Sequence, residues 1–531
     1  MKRPLGVFLL ILGLLSGCNL PRRETPVFVP PSDYLATQPP LAALETAAAA
    51  QPTEIPPLSA LETAAAPPTA MATPLPSPTA TAMAITLPTP VPGAGNDGPL
   101  LYYTQAGDTL HALSVRFGVS PEEINTAGVL PEEGFINPNQ LLIIPRRFTN
   151  TTAPVHLLPD SELVYSLSAA GFATENFVWE AGGYLRNYHE YLGMTGETYG
   201  GQIVREIALD NSINPRLLLA LLEYQSGWVY GQPETLAAED YPLEHVDLKD
   251  KGLLRQLKWA VNQLSIGYYG WREGRLTEIT FRDGVTARLA PDLNAGTVAL
   301  QYYFAQVYDS RGWLQAMNPE TGFMALYVQM FGDPWERAKV VEPLFPPDLQ
   351  QPELQLPFLP GRLWSFTGGP HGAWEKDGSW AAVDFAPAAT ESGCVESDAW
   401  ATAVADGVVT RSERGILALD LDGDGFEQTG WVVVYLHLAE EGRAGVGRAV
   451  RAGDPIGHPS CEGGRATGTH IHLVRKYNGE WIAADGPIPF VLSGWRVVAG
   501  ERQYAGWLVR GNEKVTANQY GSFESRIQLG Q

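Results

Sequence analysis

The spacing of hydrophobic and polar positions changes along the chain, and each change predicts a domain boundary. Residues 155–345 repeat apolar positions at helical spacing, which predicts a mainly helical domain. After a proline-rich joint, residues 361–495 form short alternating runs separated by glycine turns, which predicts an antiparallel β domain. Residues 496–531 are assigned to a C-terminal extension. The chain is therefore predicted to be multidomain, in keeping with its 531 residues.

Residues 99–147 show strand and helix signals on a smaller scale. Two short strands are predicted to flank two helices, giving the order β-α-α-β. The first helix begins at Asp108 or Thr109 as its N-cap and ends at Gly118, and the second begins at Pro121. The predicted strands contain Tyr102–Gln105 and Gln140–Pro145.

Residues 19–98 are rich in Pro, Ala and Thr, with few aromatic residues and no helical or strand period. Such a composition buries too little apolar area to offset the entropy lost on ordering. A disordered tether is therefore predicted, and a coil of this length spans roughly 50 Å.

The first 18 residues resemble a bacterial lipoprotein signal. Lys2 and Arg3 form a short basic region, the run Leu5–Leu15 is apolar but short for a membrane span, and the segment ends at Cys18. The resemblance implies that Cys18 is lipidated and anchors the protein to the bacterial cell membrane, on the extracytoplasmic side, in the cell wall or periplasm. An ordinary secretory signal with a chance cysteine is the alternative.

Charge and cysteine content restrict the partners and the compartment. The formal net charge of −22 argues against nucleic acid as a partner, because phosphate binding requires a basic surface. Once Cys18 is set aside, Cys394 and Cys461 remain of the three cysteines. An oxidising compartment predicts a disulfide between them, with two buried free thiols as the alternative.

Histidine is concentrated in the C-terminal part of the chain, where five of the nine histidines lie between positions 371 and 472. His470 and His472 are two residues apart on a predicted strand, so their side chains point to the same face. This geometry suits one imidazole that binds a metal and a second that acts beside it.

Residues 103–145 resemble a LysM module. The matching motifs are Gly107–Leu110, Phe117–Val119, Ile124–Asn125 and Leu141–Pro145. The resemblance implies binding to N-acetylglucosamine-containing glycans, chiefly peptidoglycan. The loop residues that would line the sugar groove are Gly107, Asp108, Thr109 and Asn125.

The segment from Asn214 to Trp228 is similar to the helix that carries the catalytic glutamate of lysozyme-like lytic transglycosylases. In that family the acid directly precedes a serine, whereas here Gln225 holds the position. An amide cannot protonate a glycosidic oxygen, and Glu223 lies roughly 200° around the helix. The middle domain is therefore predicted to be lysozyme-like and non-catalytic, with an active transglycosylase or an unrelated helical fold as alternatives.

From about Trp364 to Pro489 the chain resembles the LytM/lysostaphin-type zinc metallopeptidases. Motifs that agree in type and order carry this resemblance: Gly369–His371, Ala382–Ala386, Ala405–Val409, Tyr435–Leu438, Val450–Gly457 and Gly468–His472.

The resemblance implies that His371, Asp384 and His472 hold Zn²⁺. His470 would take a proton from the attacking water or stabilise the oxyanion, and His437 would assist at the scissile carbonyl. The family usually spaces its first His and Asp four residues apart, whereas here 384 − 371 gives thirteen. The stretch from Trp374 to Trp380 is therefore predicted to loop out, so that His371 still reaches the metal.

Asp420, Asp422 and Asp424 have the acidic rhythm of a calcium loop, but the twelfth position of an EF-hand is Trp431 instead of a carboxylate. A Ca²⁺ site at the three aspartates is one hypothesis, and a polar hairpin turn is the other.

These resemblances together imply a lipid-anchored zinc metalloendopeptidase that hydrolyses peptide cross-links of peptidoglycan and is targeted to the glycan by LysM. The alternative is a non-enzymatic wall-binding regulator of the amidase-activator type, in which the same fold has lost its zinc ligands. Retention of the ligand residues favours the enzyme.

Overall fold

Residues 98–193, 195–389 and 391–530 are described by the computed structural model of this protein, and all of them belong to one compact unit. The predicted signal peptide, the lipidation site Cys18 and the tether up to residue 97 lie outside the described residues.

The segment at residues 98–147 is a small two-stranded unit. Strand β1 (Leu100–Tyr103) pairs antiparallel with β2 (Leu141–Ile144), and helix α1 (Leu110–Phe117) packs against them. Thr109 is the N-cap of α1 and Gly118 ends it in the left-handed conformation, as predicted.

The second predicted helix of this segment is only the 3₁₀ turn Pro121–Glu123. Ile124 already has extended backbone angles, and Asn125 pairs with Ile143 beside β2. The chain leaves the helical conformation at Ile124 because the next residue, Asn125, pairs with Ile143 at the edge of the sheet. The order of elements is therefore β-α-3₁₀-β.

The region between residues 155 and 345 is mainly helical, as predicted. Its α-helices are α2 (Asp160–Leu163), α3 (Leu167–Ala170), α4 (Thr174–Ala181), α5 (Tyr184–Asn187), α6 (Gly200–Asn211), α7 (Pro215–Ser226), α8 (Leu236–Asp240), α9 (Leu253–Arg272), α10 (Ala295–Val307), α11 (Ser310–Ala316), α12 (Phe323–Phe331) and α13 (Pro334–Val341). Short hairpins join β3 (His189–Leu192) to β4 (Gly196–Tyr199) and β5 (Glu278–Thr280) to β6 (Thr286–Arg288). A 3₁₀ turn, Leu248–Asp250, precedes α9.

Helix α7 lies in the core of the helical region. Asn214 caps its N-terminus by accepting a hydrogen bond from the Arg216 amide, and Gly227 ends it in the left-handed conformation. Gln225 is buried, donates to the Leu243 carbonyl and accepts from the Tyr303 hydroxyl. Glu223 accepts from the backbone N–H groups that follow the helix. Both side chains therefore have structural partners.

The C-terminal region is built from antiparallel strands, as predicted. They are β7 (Leu363–His371), β8 (Ala382–Pro387), β9 (Ala401–Thr402), β10 (Gly407–Glu413), β11 (Ile416–Asp420), β12 (Trp431–Leu436), β13 (Ala449–Val450), β14 (Pro455–Gly457), β15 (Ile471–Tyr477), β16 (Glu480–Trp481), β17 (Val491–Leu492), β18 (Trp495–Ala499), β19 (Gly506–Arg510), β20 (Glu513–Thr516) and β21 (Arg526–Gln528). The main sheet has the order β13-β10-β11-β12-β15-β8-β7-β21, and β16 also pairs with β15.

Residues 496–530 belong to the β domain, which corrects their assignment to a separate extension. Strands β17–β20 form a second antiparallel sheet, and β21 pairs with β7 at the edge of the main sheet. This pairing could not be predicted from the sequence, because an edge strand of three residues is too short to show a period. The β domain therefore extends almost to the end of the chain.

Buried ion pairs join the helical region to the β domain. Arg411 of β10 lies 2.6 Å from the Asp210 carboxylate of α6, and Arg272 of α9 lies 3.1 Å from the Glu480 carboxylate of β16. Their low solvent exposure makes removal of one partner costly, because the other charge would remain buried and unpaired. Within the described ranges, none of the helices is long and apolar enough to span a bilayer.

Candidate metal centre

Three neighbouring strands bring His371, Asp384 and His472 to one face of the main sheet. The register of β15 against β8 sets His472 directly opposite Asp384. On the other side of β8, strand β7 carries register shifts before and after Gly368, and His371 pairs opposite Ala382. Since residues 382 and 384 point to the same face, His371 joins the cluster.

The irregularities in β7 accommodate the thirteen-residue spacing between the first two predicted ligands. Register shifts of this kind re-aim a side chain without ending the strand. Residues 372–381 leave the sheet as an irregular loop, in agreement with the prediction that they loop out. A Cβ atom at Gly368 would lie 2.5 Å from Asp384 Oδ2, so glycine at this position leaves room for the carboxylate.

The three side chains place their polar atoms in a nearly equilateral triangle. His371 Nε2 lies 3.0 Å from His472 Nδ1, and each of these nitrogens lies 3.3 Å from Asp384 Oδ1. All three side chains are buried, and Asp384 Oδ1 accepts no hydrogen bond from any residue that the structure describes. A buried carboxylate oxygen without a hydrogen bond is costly unless a cation binds it.

The outer nitrogens of the two imidazoles determine where their protons lie. His371 Nδ1 is 2.8 Å from the Gly369 carbonyl oxygen, and His472 Nε2 is 2.9 Å from the Ala373 carbonyl oxygen. Because a carbonyl oxygen only accepts, both outer nitrogens must carry protons. In the neutral rings, His371 Nε2 and His472 Nδ1 then present lone pairs towards each other and towards the carboxylate.

Burial and the neighbouring charges shift the pKa values of His472 and Asp384. Burial lowers the pKa of His472, which favours the neutral ring. Burial alone would raise the pKa of Asp384, but the positive charge that the adjacent histidines carry when protonated more than offsets that effect and holds the pKa of Asp384 well below its usual range. In the tautomers that the backbone carbonyls fix, the triangle offers one carboxylate oxygen and two imidazole nitrogens as ligand atoms.

This donor set fits Zn²⁺. Ligand atoms at about 2.0–2.2 Å from a tetrahedral zinc ion lie about 3.3–3.6 Å from one another. The observed separations of 3.0 to 3.3 Å are close to this range. The backbone carbonyls that fix both imidazoles are the outer partners typical of zinc-binding histidines.

His470 and His437, the two histidines assigned catalytic roles from the sequence, lie beside the triangle. His470 Nε2 is 4.0 Å from Asp384 Oδ1, and the ring centres of His437 and His470 are 4.5 Å apart. His437 adopts a φ of 68°, which is uncommon for a residue other than glycine and turns its ring towards the site after β12. Burial lowers the pKa of His437 to about 3, so this ring is neutral.

Tyr504 is a site residue that the sequence reasoning missed. Its ring stacks on His371 with a centroid distance of 4.1 Å, and its backbone pairs with Gly369 and Pro370. The residue lies in the part of the chain assigned to the extension, and nothing in its sequence context indicates a metal centre. Only the packing of the β18–β19 connection against β7 brings it there.

The predicted disulfide between Cys394 and Cys461 is present. It joins two loops that support the histidines beside the triangle. Beside Cys461, the Glu462 carbonyl accepts a hydrogen bond from His437 Nδ1. Beside Cys394, the Gly393 carbonyl accepts one from the backbone N–H of Thr469, the neighbour of His470.

Replacement of both cysteines by serine is expected to lower the free energy of unfolding by about 4 kcal/mol, because the bond closes a loop with a sequence separation of 67 residues. Urea unfolding of the purified variant, with an untreated and a reduced wild-type sample beside it, measures this difference. The reduced wild type should match the variant. Equal stability of all three samples would contradict a structural role for the bond.

The acidic loop provides no comparable site. The carboxylates of Asp420, Asp422 and Asp424 lie within 4.8 Å of one another. However, both oxygens of Asp420 already accept hydrogen bonds from backbone N–H groups of the turn. The arrangement is that of a polar hairpin turn between β11 and β12, and Ca²⁺ gains no support.

The four predicted glycan-binding residues do not form one surface. Gly107 and Thr109 line a cavity of about 480 Å³ between the 98–147 segment, α9 and the β domain. Asp108 is buried, and its carboxylate forms an ion pair with the Arg116 guanidinium at 2.8 Å. Asp108 therefore stabilises the fold of the segment. Asn125 lies outside the lining of this cavity.

Comparisons with known proteins relate this chain to a protease. Residues 156–346 match the family model described as "LasA, N-terminal domain". The chain is 26% identical over 364 residues to Protease LasA of Pseudomonas aeruginosa strain UCBPP-PA14, which covers 62% of this chain and 75% of that protein. Protease LasA of strain PAO1 matches with the same identity and coverage. The match to the helical region differs from the predicted lytic-transglycosylase resemblance, which gains no support.

Among solved structures, the M23 metalloprotease pseudoalterin is 21% identical and covers 32% of this chain and 96% of its own, with a TM-score of 0.27. The catalytic domain of lysostaphin from Staphylococcus simulans is 22% identical and covers 23% of this chain and 87% of its own, with a TM-score of 0.17. These TM-scores are too low to carry an argument about function.

Proposed function

We propose that this protein is a zinc metalloendopeptidase that hydrolyses peptide cross-links of peptidoglycan. The observation that carries the proposal is the triangle formed by His371 Nε2, Asp384 Oδ1 and His472 Nδ1, with edges of 3.0 to 3.3 Å. Buried lone pairs at these separations repel one another unless a cation lies between them. The similarity to Protease LasA supports peptide hydrolysis as the reaction.

When bound, Zn²⁺ would supply Lewis-acid chemistry that activates water and polarises a carbonyl group. The remaining roles belong to residues of the chain, beginning with His470. His470 Nδ1 donates to the Gly468 carbonyl at 2.7 Å, which leaves Nε2 as the basic nitrogen. This nitrogen can accept a proton from the attacking water and return it to the leaving amine.

His437 has a different role from His470. Its Nδ1 donates to the carbonyl of residue 462, and the low pKa keeps the ring uncharged. His437 therefore serves as a hydrogen-bonding partner for the reacting groups instead of a fixed positive charge. Tyr504 covers His371 and restricts the orientation of that imidazole.

The choice of substrate and location rests on the sequence. The LysM resemblance of residues 103–145 supports attachment to N-acetylglucosamine-containing glycan. The lipoprotein-type signal ending at Cys18 supports an anchor in the bacterial membrane, outside the cytoplasm. The cavity lined by Gly107 and Thr109 is where we propose that glycan contacts begin.

Metal analysis and wall digestion test this proposal together. The purified chain is expected to hold about one zinc ion and to release peptides from purified peptidoglycan. Treatment with a chelator should abolish the release, and added Zn²⁺ should restore it, because the donor set requires the ion for chemistry. A chain that holds no zinc, or that binds the wall without releasing peptides, would favour the non-enzymatic regulator.

A further inference from the structure

The loop between His371 and Asp384 lies along one helix of the helical region. Lys258, Asn262, Ser265 and Tyr269 of α9 follow a spacing of four, three and four residues, which places them on one face of that helix. Contacts from this face reach three successive parts of the loop, at Glu375, Asp377 and Gly378. The helix therefore supports the chain segment between the two proposed metal ligands.

Asn262 makes the most specific of these contacts. Its Oδ1 accepts a hydrogen bond from the Asp377 backbone N–H at 3.1 Å, and its Nδ2 donates to Asp377 Oδ2 at 3.4 Å. One amide thus engages both the backbone and the side chain of the same residue. This fixes the position of Asp377 along the helix and its orientation.

Close packing limits how far the loop can shift. A Cβ atom at Gly378 would lie 3.0 Å from Ser265 Cβ, so the backbone of the loop rests directly on the helix. Lys258 Nζ lies 3.5 Å from Glu375 Oε1 at the other end of the contact. These contacts hold the loop on both sides of Asp377.

Ala373 connects the loop to the metal centre. The Ala373 carbonyl accepts the hydrogen bond from His472 Nε2 at 2.9 Å, and the Ala373 N–H donates to the Ser379 carbonyl at 3.0 Å. Residues 373 and 379 are therefore linked across the loop, and Ser379 follows the residue that rests on the helix. A shift of the loop would move the carbonyl that fixes the His472 ring.

We propose that Asn262 is a positioning residue for the metal centre, and that helix α9 is therefore part of the catalytic unit. The inference rests on the proposed zinc site at His371, Asp384 and His472. Outer partners of metal-bound histidines change metal affinity by about 10-fold to 100-fold when they are lost. Here that partner is the Ala373 carbonyl, and Asn262 of the helical region holds the loop to which it belongs.

The isosteric variant Asn262→Asp, made in the full chain, tests the inference. It sets a second carboxylate against Asp377, so the loop should be displaced and zinc should dissociate about 10-fold faster or more in a chelator competition. The absorption spectrum of the Co²⁺-substituted protein should also change, because it reports the ligand geometry. Arg255→Ala, on an exposed part of α9, is the matched control and should leave both readouts unchanged.

Exchange of the side chains at positions 262 and 377 provides a second test. The double variant Asn262→Asp/Asp377→Asn keeps an acceptor for the backbone N–H of residue 377 and restores an amide–carboxylate contact, so it should recover the wild-type zinc dissociation rate. A loss of thermal stability with an unchanged zinc dissociation rate in Asn262→Asp would overturn the inference, and so would a double variant that fails to recover. If the wild-type chain itself holds no zinc, the proposed function fails first.

Discussion

Asp384→Asn is expected to lose the bound zinc ion and at least about 10³-fold of the wall-hydrolysing activity, since a metal ion contributes several kcal/mol to the transition state and each 1.36 kcal/mol is tenfold. The substitution keeps the size of the side chain but removes the only negative charge of the triangle. Its amide N–H group can also donate to an imidazole lone pair, which makes that nitrogen unavailable to a metal. Zinc content by mass spectrometry and peptide release from purified peptidoglycan measure the two effects.

The control for this variant is Asp424→Asn, which changes an exposed aspartate of the acidic turn. It should keep both zinc and activity, because the hydrogen bonds that Asp424 makes with described residues all lie within its own turn. Full zinc content in Asp384→Asn would show that the triangle is not the metal site. A loss of zinc in Asp424→Asn would instead point to the acidic turn.

His470→Gln is expected to keep the zinc ion while peptide release falls by about 10²-fold to 10⁴-fold, which is the range of a lost general base. Of Asp384 and the four histidines at the site, His470 is the most exposed, and its Nε2 lies 4.0 Å from Asp384 Oδ1, beyond the triangle itself. Glutamine can still form hydrogen bonds but cannot accept the proton of the attacking water. The two measurements therefore separate a catalytic residue from a metal ligand.

His458→Gln is the matched control for that variant. His458 belongs to the same domain, packs on Trp400 at a ring distance of 3.8 Å and bonds the Ala399 carbonyl. It should keep both zinc and activity. Loss of zinc in His470→Gln would assign His470 to the metal, and undiminished peptide release would remove it from the mechanism.

Local signals in the sequence predicted many of the structural elements. Thr109 and Gly118, predicted as the boundaries of α1, mark its two ends in the structure. These signals are reliable because capping bonds and left-handed glycines involve residues only a few positions apart. The second helix of the 98–147 segment was predicted too long because a long-range bridge at Asn125 overrides its local preference.

The site was predictable to the extent that its residue types are unusual. His470 and His472 alternate on one strand, and the surrounding motifs carried the resemblance that selected His371, Asp384 and His437. Tyr504, the pairing of β21 with β7 and the contacts of Asn262 gave no comparable signal. Each of them depends on residues that are more than a hundred positions apart.

The sequence by itself therefore determined the chemistry that is available: two imidazoles and a carboxylate as ligand types, further histidines beside them, and a cysteine pair nearby. The tertiary structure alone decided that these groups converge. The register of β15 on β8 and the bulges of β7 set the edges of the triangle to 3.0 to 3.3 Å. Side-chain type is a local property of the chain, whereas the distances that make a metal centre arise only when distant strands pack together.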